Sequence, residues 1–451
     1  MNKNLTNSKD LTVAVDIGTT KVCAVAAVRN DYGKLEIIGY STVFSDGVHK
    51  GIVKNIDRTV SAISQVIKNV EEQIGRKITK VNVSLSGQHV KSYHQQAIIP
   101  RQNPNIVISD TDVDSLINQM GNVALPAGDK IIEILPQEFS VDNEGGILDP
   151  RGMTGVRLEA NFHLITSQHS TQQNLNRCIE MAGLTIGKTM LEPMASAEAV
   201  LTDEEKGAGI ALVDIGGGTT DIAIFKDGLL RHTAIIPLGG NNITNDIKEG
   251  CEVLQPQAEK LKVRFGCALA QEINENRIIT VQGIRGHEPR AVSEINLARI
   301  IQSRMEEILD FVGSEIRRTG YERKLIGGIV ITGGGALLNH IRNLAAYRLG
   351  MSVRIGSPRE SLAQGYHEEI SSPMYATAIG LLLKGVPDMT PVANEVMVED
   401  LQPDTSDTDA QNTIPYHEPD EAGDTDIFKD PKNWFDNLVN RATSWFTETK
   451  D

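Results

Sequence analysis

Two short stretches combine a carboxylate, glycines and hydroxyls at turn spacing. They are Asp16-Ile17-Gly18-Thr19-Thr20-Lys21 and Asp214-Ile215-Gly216-Gly217-Gly218-Thr219-Thr220. Glycine lets the backbone approach a bound group closely, so the N–H groups of such a turn can surround a phosphate, with the threonine hydroxyls as further donors. Asp16 and Asp214 suit a magnesium ion held through water, because Mg2+ gives up its hydration shell reluctantly. Lys21 would place a point charge on a phosphate. One Asp-x-Gly turn alone is more often a plain hairpin. Two of them, with a third glycine cluster at Gly333-Gly334-Gly335, point to a phosphate site. The stretch "AGLTIGKT" (182–189) comes close to a P-loop but is set aside. Ala182 stands where the first glycine belongs, and a helix precedes it where the motif needs a strand.

The elements that must hold these turns repeat. "LTVAVDIGTTKVCAVAAV" and "AGIALVDIGGGTTDIAIFKDGLL" both read strand, glycine turn, strand, with their aspartates 198 residues apart. Thr19-Thr20 are set beside Thr219-Thr220. Such a duplication predicts two similar lobes facing each other across a cleft. The first core lobe is expected over 11–86 and 157–207, and an inserted small α+β subdomain over 87–156, where Pro and Gly break up short strands. The second core lobe is expected over 208–240 and 321–387, with its own helix-rich small subdomain over 241–320. After 387 the composition shifts to Pro, Asp, Thr and Glu, which predicts a disordered acidic linker over 388–429 and a terminal helix over 430–451.

The formal net charge of −15 argues against nonspecific nucleic-acid binding, which needs Lys and Arg to displace counterions. Most of that charge lies in one segment: residues 395–430 carry twelve acidic side chains and one lysine. Cys23, Cys178, Cys251 and Cys267 have no metal spacing and read as small buried hydrophobes in a reducing cytosol. No signal peptide and no run of apolar residues long enough to cross a bilayer is legible.

Two D-x-G turns, the connecting "LEPMASAEAVL" and the late "GGIVITGGGALL", in that order, resemble the actin, Hsp70 and sugar-kinase ATPase superfamily. The resemblance implies an α/β, actin-like ATPase fold with two duplicated lobes around an ATP and Mg2+ cleft. Gly334, Gly335 and Ala336 match the loop that passes the adenosine, next to Gly333. Glu259 and Lys262 match positions that reach the ribose and adenine, although the pair also suits a solvated helical face. Glu192 matches a residue that positions water in relatives, and equally an ordinary carboxylate at a helix start.

The insertion falls after the strand "KVNVSLSG", where the chain is similar to the FtsA family of bacterial cell-division proteins. A chaperone of the superfamily would carry a β-rich substrate domain after the ATPase, and a sugar kinase would show a sugar pocket with a catalytic aspartate. Neither is legible. The resemblance implies actin-like self-association, slow hydrolysis at most, and tethering of the tubulin-like FtsZ to the cytoplasmic face of the plasma membrane at the septum, beside other division proteins. It also places the FtsZ C-terminal tail on the second small subdomain, where Arg285, Arg290, Arg299 and Arg304 stand. The alternatives are an actin-like scaffold for pilus or other envelope machinery, and a phosphotransferase of the same superfamily.

Trp434 and Trp445, the only tryptophans, lie at the far end of the acidic stretch. On a helical projection Trp434, Phe435, Leu438, Val439, Ala442, Trp445 and Phe446 share an arc of about 140°, and the polar residues take the rest. Asp430 and Pro431 suit the N-cap and first helical position. An amphipathic helix behind such a linker is expected to lie on a bilayer surface, the alternatives being docking back on the folded body or into a partner groove.

Overall fold

The computed structural model describes residues 11–385, apart from 31, 102 and 284–287. Arg285, the acidic linker and the terminal segment with Trp434 and Trp445 therefore lie outside the described residues.

The duplication read from the sequence is present as two five-stranded sheets with one strand order. In the first, Thr12–Ile17 pairs antiparallel with Lys21–Arg29, which pairs antiparallel with Leu35–Phe44. On its other side lie Lys80–Leu85 and then Thr185–Leu191, both parallel. In the second, Ile210–Ile215 takes the central place, with Thr220–Lys226 and Leu229–Ile236 on the antiparallel side. Ile329–Thr332 and Val353–Ile355 complete it on the parallel side. The central strands TVAVDI and IALVDI are almost wholly buried, as strands covered on both faces must be.

Helices cover the sheets. Ile56–Ile74 starts at Asn55, whose side chain accepts from the Arg58 N–H, and stops at Gly75 in the left-handed conformation. It packs Ile63, Val66 and Val70 on the first sheet together with Leu175 and Ile179 of helix His169–Met181. Helix His169–Met181 precedes "AGLTIGKT" and strand Thr185–Leu191 follows it, which is the wrong order for a P-loop.

Two short helices join the lobes. Glu192–Val200 follows directly on the last strand of the first sheet, and Ala376–Lys384 packs against it and against the first sheet. A Cβ on Gly380 would come within 1.7 Å of the Ala195 carbonyl oxygen, so only glycine lets these backbones meet.

The inserted subdomain is a four-stranded sheet in the order Lys91–Pro100, Arg157–Gln168, Asp129–Val141, Glu144–Ile147. Helix Asp110–Gly121 covers it, and Val113, Leu116 and Met120 pack on Phe139, Leu158 and Phe162. Its boundary differs from the expectation. The core lobe was expected to resume at residue 157, but Arg157–Gln168 pairs along its length with both Lys91–Pro100 and Asp129–Val141. Hydrogen-bond pairing, which the alternation of residues in one strand cannot reveal, assigns it to the insertion.

In the second small subdomain, helices Gly240–Gly250, Gln255–Phe265 and Glu294–Arg318 pack with the hairpin Ile278–Val281 and Arg290–Ser293. Cys23, Cys178 and Cys267 are buried, Cys251 is half-buried, and all four thiols are free.

Candidate functional site

Each D-x-G stretch is a tight hairpin closed by the same bond. Gly18 N–H donates to the Lys21 carbonyl and Gly216 N–H to the Thr219 carbonyl, both at 2.9 Å. The offset of 198 residues therefore holds in three dimensions, but it changes the pairing of residues. Thr19 and Thr20 correspond to Gly217 and Gly218, not to Thr219 and Thr220. Among the described residues the N–H groups of Thr19, Thr20, Gly217 and Gly218 have no backbone acceptor. Four unpaired donors on two facing turns are a cradle for an anion.

The turns touch. A Cβ on Gly217 would lie 2.4 Å from Thr20 Cγ2, and one on Gly218 would lie 2.6 Å from Thr19 Oγ1. Thr19 Oγ1 also accepts from the Gly51 N–H at 3.2 Å. Thr219 is buried. Thr220 is turned away from the cradle, its hydroxyl donating to the Leu238 carbonyl at 2.9 Å.

Beneath the turns lie Asp16 and Asp214, 5% and 3% exposed. Ser84 Oγ donates to Asp16 Oδ1 at 3.0 Å and Ser196 Oγ to Asp214 Oδ2 at 2.6 Å. Sequence reasoning missed Asp221. It sits directly across the second hairpin from Asp214, is fully buried, and leaves Oδ2 without a partner. Ser86 Oγ of the first lobe donates to its other oxygen at 3.3 Å. The hairpin geometry was the available signal, since a two-residue turn between Gly216 and Thr219 sets 214 opposite 221.

Like charges directly opposite each other in a sheet are unfavourable unless something compensates them. Burial and the Asp214 carboxylate push Asp221 up to about 7, and burial pushes Asp214 up to about 6 despite the Ser196 bond. Burial also raises Asp16, with Lys21 and Ser84 opposing it. Glu192, the first residue of its helix, is pushed well above the usual carboxylate range by burial and then by Asp221, Asp16 and Asp214. No group of three or more His, Cys, Asp or Glu among the described residues is placed to hold a metal ion by direct ligation.

Lys21 is not free to meet a phosphate as expected. Its ammonium donates to the Met374 carbonyl and stands 4.1 Å from the centre of the Tyr375 ring. Lys262 bridges to Glu259 at 2.8 Å and donates to the Gly240 carbonyl at 3.0 Å. Gly240 N–H in turn donates to Gly216, so the pair sits at the lip of the second turn.

The late glycines divide in role. A Cβ on Gly333 would reach 2.2 Å from Asp214 Oδ1, and one on Gly335 would reach 2.4 Å from Ile215 Cγ2. Gly333 also has φ +79, so glycine is required there on both counts. At Gly334 a Cβ would meet only Met374 Cγ, at 3.9 Å. Ala336 is buried behind this loop.

The arginines expected to take a partner peptide are mostly engaged. Arg304 holds both oxygens of Asp246, at 2.6 and 2.9 Å, and also pairs with Glu307. Arg290 pairs with Glu252 at 2.6 Å. Arg299 is exposed and has no ion pair among the described residues.

The family model described as "Cell division protein FtsA" matches residues 211–380, and that of the "SHS2 domain inserted in FTSA" matches residues 87–166. The chain is 37% identical over 379 residues to the cell division protein FtsA of Pseudomonas aeruginosa, covering 84% of this chain and 90% of that one. The chain belongs to the FtsA family of cell-division proteins. The Escherichia coli K12 member is 33% identical over 384 residues, with 84% and 90% covered. A structure titled "PilM-PilN type IV pilus biogenesis complex" superposes with a TM-score of 0.61 at 15% identity, covering 84% of this chain and all of that one. The fold class is the actin-like one expected. The inserted-domain match runs to residue 166, in keeping with the pairing of Arg157–Gln168. No helix among the described residues is long and apolar enough to cross a membrane.

Proposed function

We propose that the chain is an ATP-binding, actin-like division protein that self-associates and ties FtsZ filaments to the cytoplasmic face of the membrane at the septum. Membership of the FtsA family supports the division role. The observation that carries the nucleotide assignment is the pair of facing turns with four unpaired N–H donors. The residues present fit Mg-ATP. The turns supply phosphate donors, Gly334 leaves open space in the adenosine loop, and Asp221 Oδ2 is a buried acceptor with no protein partner. Asp16, Asp214 and Asp221 would hold the magnesium ion through its water shell, and the ion would neutralise phosphate charge. Glu192, at the helix start beside the three aspartates that raise its pKa, would orient a water for slow hydrolysis.

Arg299 is the contact proposed for the acidic FtsZ tail, and the apolar face of 434–446 for lipid. The test is sedimentation of FtsZ with phospholipid vesicles. FtsZ should pellet only when this chain is present, and failure to pellet would remove the tethering role.

A further inference from the structure

Ser196 Oγ donates to Asp214 Oδ2 at 2.6 Å and lies 2.9 Å from Thr377 Oγ1. Ser196, Asp214 and Thr377 are 0%, 3% and 5% exposed. A hydroxyl has one proton to give. Ser196 gives its own to the carboxylate, so Thr377 must donate to Ser196. The result is a one-way chain from Thr377 through Ser196 to Asp214, sealed from water. A hydrogen bond to an ionised acceptor is stronger than a neutral one, and neighbours in a low dielectric reinforce it.

The three residues come from three elements. Ser196 is on helix Glu192–Val200, Thr377 is on helix Ala376–Lys384, and Asp214 is in the central strand of the second sheet. These are the two helices that join the lobes. The other oxygen of Asp214 is confined as well, since Gly333 leaves no room for a Cβ beside Oδ1. One carboxylate is thus clasped between the joining helices and the adenosine loop, facing Asp221 across the hairpin and Asp16 and Lys21 of the first lobe.

We propose that Ser196, backed by Thr377, is a positioning residue for the metal half of the nucleotide site. It holds Asp214 in the orientation from which the carboxylate can order the water shell of a divalent cation, and it couples that orientation to the packing of the joining helices. Partners that orient a metal-binding group from outside its contact shell commonly govern metal affinity. The proposal rests on the Mg-ATP assignment of the cleft and goes beyond it by separating metal from nucleotide.

The test is calorimetric titration of ATP into the full chain, once in excess Mg2+ and once in EDTA, for wild type, Ser196→Ala, Thr377→Val and Thr377→Ser. Ser196→Ala should bind Mg-ATP about tenfold more weakly, the size of one lost bond to an ionised group, with metal-free ATP unchanged. Thr377→Val should lose about threefold in Mg2+ alone, because only the outer link goes. Thr377→Ser keeps the hydroxyl and should match wild type. Equal weakening with and without metal, or no weakening, would overturn the proposal and leave Ser196 a packing residue. If Ser196→Ala does not fold, the contrast between Thr377→Val and Thr377→Ser decides the question on the same criteria. Wild type that binds ATP in neither condition would overturn the nucleotide assignment itself, so the two failures are told apart.

Discussion

Thr20 of the first lobe stands so close to Gly217 of the second that a Cβ on Gly217 would lie 2.4 Å from Thr20 Cγ2. A side chain at position 217 would force the Thr20 side chain, and with it the contact between the turns, to shift. Gly217→Ala should therefore push the turns apart and weaken Mg-ATP binding by at least about tenfold, since a misplaced donor loses most of its bond. Calorimetry on the variant checks this, with a thermal melt to confirm the fold. Wild-type affinity would mean the turns do not act together.

His163 sits at the seam between the inserted sheet and the edge strand Leu229–Ile236. Its ring stacks on His94 at 5.1 Å, and Nδ1 bonds the Leu230 carbonyl at 3.2 Å. Burial holds its pKa down at about 4, below the ordinary 6.5. The unfolded chain therefore takes up the proton first. Stability from the neutral ring is complete above the unfolded value and is lost as pH falls through the window from 6.5 to 4. At pH 5 the loss should be about 2 kcal/mol. Urea unfolding at pH 7.5 and pH 5 should show that difference shrink in His163→Gln; an unchanged difference would assign the acid sensitivity elsewhere.

Arg304 and Arg299 lie on one helix but should behave differently. Arg304→Glu removes a bidentate partner and sets a carboxylate against Asp246, costing about 2 kcal/mol of stability. Arg299→Glu should leave the melting temperature unchanged and weaken an FtsZ tail peptide several-fold, because a like charge now faces an acidic ligand. Fluorescence anisotropy with the labelled peptide checks the second effect. Equal binding by wild type and Arg299→Glu would move the peptide site away from this face.

The terminal segment gives a further expectation from its charges alone. Between 431 and 451, Lys432, Arg441 and Lys450 are matched by Asp436, Glu448 and Asp451. Attraction to lipid would then come from Trp434, Phe435, Leu438, Trp445 and Phe446, on the order of 5 kcal/mol in all if each is partly buried. Trp434→Glu or Trp445→Glu should release the chain from vesicles, while salt and anionic lipid content should matter little. Vesicle binding that collapses in moderate salt would point to basic groups instead.

The duplicated turns and the lobes around them were legible because glycine and aspartate at turn spacing leave few conformations open. The strand order of both sheets was not, since a run such as VAVDI says that it is buried without saying beside what. The strand from residue 157 likewise shows its alternation but not the sheet it joins. Asp221 is not legible from the repeat, because the 198-residue offset sets it against Cys23 and the first stretch has no matching carboxylate; only hairpin register sets 221 opposite 214. The engagement of Arg304 by Asp246 and of Lys21 by Met374 spans 58 and 353 residues, distances over which no local pattern carries information.

The central claim is that Mg-ATP occupies the cleft against the loop at Gly334. Because a Cβ there meets only Met374 Cγ at 3.9 Å, Gly334→Asp should fold and melt like wild type. Its carboxylate would stand in the adenosine space and repel the phosphates. Calorimetric titration of ATP in excess Mg2+ should give a saturable isotherm with wild type and none with Gly334→Asp. Undiminished binding by the folded variant would contradict the assignment.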